Sequence, residues 1–333
     1  AQKLNVLPAT AEDYEELISI SSGLFKGTDY LPFRYHDWLK EPQRRMFVAK
    51  CEGRVVGFIT YVLDGNGTTA VMEGIRVALW IRGHGVAGLI QRFCINAMLS
   101  DHPEVKAIRF TRAEDPPASI LAKCKLITSK AVISVFLPAD QLKTTLRLLE
   151  SRVNNLDRSK YLSVLGPKEI LRFFEESRKR QQLLPGGFLV QGWFPLTTHK
   201  SNLNLLLKRQ IVWIYSHFGD SSDSASSSKV TIGCDGPHAY LEEFLSLGSP
   251  PYPVSNAERV YFIDIDMFGN DPSCAKVHVL EQLKIAVQAL PAGSSIICIL
   301  YADEGLRSEL VQLCEGLTPF PISKEQMQME LEI

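Results

Sequence analysis

The chain has 333 residues, 45% of them hydrophobic and 22% charged, with a formal net charge of −1. This is apolar material enough for two ordinary globular domains, and the near-neutral balance gives no overall attraction to nucleic acid or to a membrane surface. No apolar run approaches the roughly 18 residues of a membrane span, and residues 1–10 lack the basic start and apolar block of a secretory signal.

Residues 10–23 read as a helix, with Thr10 as cap, Asp13 as the capping-box acid, Tyr14, Leu17 and Ile18 on the inner face and Gly23 as its stop. The aromatic-rich segment 30–39 reads as helical after Pro32. Strands are expected at 46–51, 55–63 and 68–77, the last two joined by the turn sequence Asp64-Gly65-Asn66-Gly67. A helix at 88–100 presents Leu89, Ile90, Phe93, Cys94 and Ala97, followed by strand 105–110, helix 118–124, strand 130–137 and helix 142–151. The polar stretch 152–165 reads as a linker, dividing the chain into domains 1–151 and 152–333.

The second half runs helix 168–180, strand 188–194, helix 201–208, strand 211–217, a Ser/Asp-rich stretch at 220–228, strand 229–234, helix 239–247, strand 259–266, helix 275–289, strand 294–301, helix 304–316 and strand 326–333. This order roughly repeats the first half and suggests a duplicated fold. The seven cysteines form no CxxC pair and the seven histidines no HxH or HxxxH spacing. Free buried thiols, a reducing cytoplasmic setting and no metal are the expectation.

The stretch carrying chemistry runs from Glu73 to Ile90: a strand, a glycine-rich loop, then a helix. In Arg82-Gly83-His84-Gly85-Val86-Ala87 small residues let backbone N–H groups face outward at the positive end of the helix, a geometry suited to a pyrophosphate. Gly83, Gly85 and Gly88 also fit GxGxxG. That dinucleotide loop, however, follows the first strand of a βαβ unit, whereas this one follows an antiparallel hairpin.

The spacing Arg82-x-x-Gly85-x-Ala87 after Val77, with the element order, resembles the GNAT acetyltransferase superfamily. The resemblance implies an α/β (α+β) fold with a GNAT-type mixed, mostly antiparallel sheet flanked by helices, and a second, degenerate GNAT-like domain. It implies acetyl-CoA as co-substrate, with the amides of Gly83, His84, Gly85, Val86 and Ala87 on the pyrophosphate. Ile75, Arg76 and Val77 would meet the pantetheine arm, one of their amides polarising the thioester carbonyl. The phrases Asp29-Tyr-Leu-Pro-Phe-Arg-Tyr-His-Asp-Trp38, Glu73-Gly-Ile-Arg-Val77, Gly85-Val-Ala-Gly-Leu-Ile-Gln-Arg-Phe-Cys94, Leu184-Pro-Gly-Gly187 and Ser201-Asn-Leu-Asn204 resemble the vertebrate histidine N-acetyltransferase family across nearly the whole chain. That resemblance implies acetylation of the α-amine of free L-histidine, with no nucleic-acid or membrane partner.

An amine must lose a proton to attack, and Glu73 is the candidate base, placed four residues before Val77 and so on its face in a regular strand. The position where the superfamily often carries a tyrosine acid holds Lys123 or Cys124, leaving Tyr35 or water to protonate the thiolate. Arg34 or Arg76 could fork onto the substrate carboxylate, Arg34 being favoured because a regular strand turns Arg76 away from Glu73. Asp29, Tyr30, Tyr35 and Trp38 are available to the imidazole, and Trp193 could wall the acceptor site. Asp264 and Asp266 alternate on a strand and read as structural, since no glycine loop follows them. The competing readings are an acetyltransferase of protein N-termini or lysines, and a non-catalytic coenzyme A-binding protein.

Overall fold

The computed structural model describes residues 4–114, 116–153, 160–175, 183–218 and 243–333. In the first half, β1 (Leu4–Pro8) precedes α1 (Tyr14–Ser21) and α2 (Leu31–Trp38). Then come β2 (Arg44–Cys51), β3 (Arg54–Leu63), β4 (Thr69–Val77), α3 (Val86–Asp101), β5 (Ala107–Ala113), α4 (Ala118–Leu121), β6 (Lys125–Leu137) and α5 (Leu142–Val153). The second half holds β7 (Lys160–Val164), α6 (Pro167–Glu175), β8 (Phe188–Gln191), β9 (Phe194–Thr197), α7 (Lys200–Leu207), β10 (Val212–Phe218), β11 (Glu243–Gly248) and β12 (Tyr252–Pro253). It closes with β13 (Val260–Phe268), α8 (Pro272–Gln288), β14 (Ser295–Ala302), α9 (Arg307–Leu313), β15 (Thr318–Pro319) and β16 (Glu325–Glu332).

One sheet runs through both halves in the order β1-β2-β3-β4-β5-β16-β6-β14-β13-β11-β10-β7, with most neighbours antiparallel and β4–β5 and β13–β14 parallel. Strand β16 lies between β5 and β6, and β14 also bonds β6, so ladders cross the expected division at 151/152. Both halves follow the same mixed α/β plan. The first core packs Leu17, Trp38, Phe58, Ile90 and Met98, and the second packs Ile263, Val279, Leu283 and Leu300.

Local chemistry explains most elements. The Thr10 amide donates to the Asp13 carboxylate at 2.8 Å, the capping box the sequence indicates. Helix α8 starts on Pro272, with the Cys274 amide donating 2.7 Å to Asp271 Oδ1. Three readings are corrected. Strand β1 was not anticipated and pairs antiparallel with β2. Residues 243–247, read as the end of a helix, lie in β11, because Phe244, Leu245 and Leu247 are buried between β10 and β13. The expected strand 188–194 is a hairpin of β8 and β9, turned at Gly192 with φ +61°. The Ser/Asp-rich stretch 220–228 and strand 229–234 lie outside the described residues.

Candidate active site

Strands β4 and β5 pair only from Thr69↔Ala107 to Val71↔Arg109. Beyond that β4 stays paired with β3 as far as Val77 but parts from β5, whose other edge is held by β16 along its whole length, opening a cleft whose edge is the backbone of β4. The loop after it holds Gly83 at φ +81° and Gly85 at φ +77°, left-handed values that only glycine adopts without strain. A Cβ on either would meet nothing within 4 Å, so the cradle opens outward. Leu89 N–H bonds Gly85, while the amides of 83–88 have no backbone acceptor among the described residues. Arg82 Nε donates 3.1 Å to the Val77 carbonyl, and His84 Nδ1 lies 2.9 Å from the Arg82 carbonyl. Both side chains brace the loop, and its free amides lie at the start of α3. The donor set fits a pyrophosphate.

Strand β4 is not regular. Gly57 faces Val77 and Phe58 faces Arg76, but Thr60 faces Glu73, so one extra residue is inserted around Gly74. Gly74 takes φ +72°, and a Cβ there would come 3.2 Å from the Phe58 ring and 3.5 Å from Trp38. Phe58 and Thr60 share a face of β3, and therefore so do Arg76 and Glu73. Two sequence-based expectations are corrected: Glu73 does not share the face of Val77, and Arg76 is not turned away from Glu73. The signal was present, because an isolated glycine inside a strand pattern marks a bulge.

Arg76 is nevertheless committed elsewhere. Its Nη2 donates 2.7 Å to Asp29 Oδ1 and its Nε 3.4 Å to Oδ2, in a pair buried on both sides. Asp29 Oδ1 also takes the Leu31 amide at 3.0 Å, fixing the start of α2 on β4. Asp29 and Arg76 thus form a clip rather than free ligand contacts. The Tyr35 hydroxyl gives its hydrogen to the Thr10 carbonyl at 2.6 Å inside the core. Burial raises its pKa, as burial and the Glu73 charge raise that of Tyr30.

Glu73 Oε1 accepts 2.7 Å from Arg44 Nη1, and Arg44 Nε donates 2.5 Å to Glu41 Oε2. The Arg44 guanidinium lies 4.1 Å from the Trp38 ring centroid and 5.4 Å from that of Phe194. Arg209 covers Phe194 at 4.5 Å and stands 3.9 Å from Glu41. Burial, then the neighbouring Arg34, brings its guanidinium down to about 10, with Glu73 and Glu41 opposing. Arg34 lies 5.2 Å over the Tyr252 ring and makes no ion pair among the described residues. Three buried guanidiniums (Arg34, Arg44, Arg209) therefore face two carboxylates (Glu41, Glu73). Arg44 Nη2, Arg209 Nε and Nη2, Trp38 Nε1 and the Tyr252 hydroxyl are buried without a hydrogen-bond partner. Such a cation excess with orphaned donors is costly to bury and suits a small anion.

The structure brings Glu73, Tyr30, Arg34 and Trp38 to this cluster and places Trp193 at the β8–β9 turn, edge-on to Tyr301 at 6.1 Å. Sequence reasoning missed Arg44, Glu41, Arg209, Phe194 and Tyr252. Phe194, Arg209 and Tyr252 come from the second half, and no local pattern marks them.

The splayed strand, the outward glycine cradle at a helix start and the doubled sheet together define a tandem GNAT acetyltransferase. The GNAT acetyltransferase family model matches residues 12–120, and that of the C-terminal part of histidine N-acetyltransferase matches 158–242 and 230–303. A human protein described as probable N-acetyltransferase 16 is 32% identical, covering 100% of this chain and 87% of its own length. The histidine N-acetyltransferase of Xenopus tropicalis is 30% identical over 98% of this chain and 94% of its own. A tandem GNAT protein from the clavulanic acid biosynthesis pathway superposes with TM-score 0.55 at 13% identity, covering 99% of this chain and 98% of its own. A GCN5-related N-acetyltransferase from Sphaerobacter thermophilus gives 0.57 at 8% identity over 99% and 95%. The chain belongs to the histidine N-acetyltransferase family and is an acetyltransferase.

Proposed function

We propose that the enzyme transfers the acetyl group of acetyl-CoA to the α-amine of free L-histidine by direct attack in a ternary complex. The carrying observation is the position of Glu73 beside the bulge. The bulge turns this carboxylate away from the Val77 face and into a buried, cation-rich cluster. In the proposed complex the amides of Gly83 to Ala87 hold the pyrophosphate, and those of Ile75 to Val77 meet the pantetheine arm and the thioester carbonyl. Arg34 and Arg209 take the substrate carboxylate, supplying the anion that the cluster lacks.

Glu73, acting directly or through water, accepts the proton of the α-ammonium. The freed nitrogen lone pair forms the bond to the acetyl carbon as the carbon–sulfur bond breaks; the nitrogen then gives its second proton to solvent, and the thiolate takes a proton from solvent. Tyr35 is given no proton-transfer step, because Thr10 holds its hydroxyl hydrogen. A buried cluster supports a free amino acid over a protein N-terminus, which needs an open groove. Thiol-release kinetics over the twenty amino acids, histidine methyl ester and a peptide with N-terminal histidine test this. Histidine should exceed the ester and the peptide by at least about tenfold, the contribution of one charge-assisted contact. Equal use of the peptide would overturn the proposal.

A further inference from the structure

The second half also carries a carboxylate that its own fold leaves half-used and partly open. Asp264 and Asp266 sit two residues apart on β13, so both project from one face. Asp266 is fully sealed: Oδ2 takes the Gly192 amide at 2.6 Å and Oδ1 stands 3.9 Å from the Lys130 ammonium. Asp264 keeps 8% of its surface open. Its Oδ1 accepts the Tyr301 hydroxyl at 2.9 Å, while its Oδ2 makes no hydrogen bond among the described residues.

Asp264 adjoins the cluster around Glu73 through two tyrosines: Arg34 lies 5.2 Å over the Tyr252 ring, and Tyr252 shares one buried core with Tyr301, whose hydroxyl holds Asp264. The charge of Arg34 acts on it, and the unpartnered Tyr252 hydroxyl lies in the fields of Arg34, Arg209 and Asp264 together. Trp193, on the turn beside Gly192, stands edge-on to the Tyr301 ring that fixes Asp264. Amine, carboxylate and side chain of one amino acid would then meet Glu73, the arginine pair and Asp264 in turn. The first lies on the first half, the last on the second, and Arg34 with Arg209 spans them.

Resting on the histidine reading above, we infer that the Asp264 carboxylate, oriented by the Tyr301 hydroxyl, accepts a hydrogen bond from the substrate's imidazole N–H. Asp264 is thereby the residue that selects a side chain bearing an N–H donor over an isosteric ring without one. A site built to bond a polar group rejects the analogue lacking it, because its own group is left unpaired.

The test compares histidine with β-(2-thienyl)alanine, which has similar ring size and no N–H, in the wild-type enzyme and in Asp264→Asn. The wild type should prefer histidine by about a hundredfold or more in kcat/KM. In Asp264→Asn the preference should shrink about tenfold to a hundredfold, through the KM for histidine, with kcat and acetyl-CoA affinity kept. Tyr301→Phe keeps the carboxylate and loses its anchor, so KM for histidine should rise a few-fold at unchanged kcat. An unaltered preference in Asp264→Asn, with the wild type active on histidine, overturns this inference alone. A wild type that ignores histidine while acetylating another amine overturns the histidine reading with it.

Discussion

Asp264 should weaken the fold it belongs to, and the deficit should follow pH. Burial brings its carboxyl up from 3.8 to about 6, against the opposing Tyr301 hydrogen bond and Arg34 charge. The folded state therefore holds this proton more tightly than the unfolded chain. Between about pH 4 and 6 the folded state binds more protons than the unfolded, and stability contributed by this group falls as pH rises. Above about pH 6 the loss is complete, and the gap in affinity corresponds to about 3 kcal/mol. Asp264→Asn keeps an oxygen for Tyr301 and removes the charge. Relative to wild type it should gain stability by up to about 3 kcal/mol between pH 4 and pH 8, a rise of several degrees in Tm. Urea unfolding of both proteins at matched ionic strength across that range measures the difference directly, and titrations elsewhere in the molecule cancel. A difference that stays flat with pH, or favours wild type increasingly at pH 8, refutes the reasoning. The expected result pairs a more stable protein with poorer use of histidine, a combination that misfolding cannot produce.

Glu73→Gln should lower kcat by about a hundredfold or more while calorimetry shows acetyl-CoA binding unchanged; an intact kcat removes Glu73 from the base role. Gly74→Ala should destabilise by about 1–3 kcal/mol, since φ +72° and the Phe58 contact at 3.2 Å both oppose a Cβ, and denaturant midpoints will report it. Arg209→Met should reduce the preference for histidine over its methyl ester about tenfold, with melting temperature kept or raised because a buried guanidinium is removed.

The glycine cradle is legible in the sequence because it is local: Gly83, Gly85 and the helix that follows lie within a few residues. The capping box at Thr10 and the Asp64–Gly67 turn are local in the same way. The buried charged cluster is not local. Face assignments along β4 rest on alternation, and a single inserted residue at Gly74 exchanges them. Arg44 and Arg209 look like ordinary surface cations until distant aromatics, Trp38 and Phe194, cover them. Asp264 and Asp266 stand out as a pair in the sequence, yet only the fold shows that one is closed off behind Lys130 and the other keeps part of its surface open.

The insertion of β16 between β5 and β6 has a consequence for synthesis. Residues 107–137 emerge from the ribosome some two hundred residues before their hydrogen-bonding partner at 325–332. Until then two unsatisfied sheet edges stand open, an invitation to mispairing with a neighbouring nascent chain. Closure over so long a loop makes assembly slow, and any premature stop should leave the sheet of the first half unfinished rather than merely shortened.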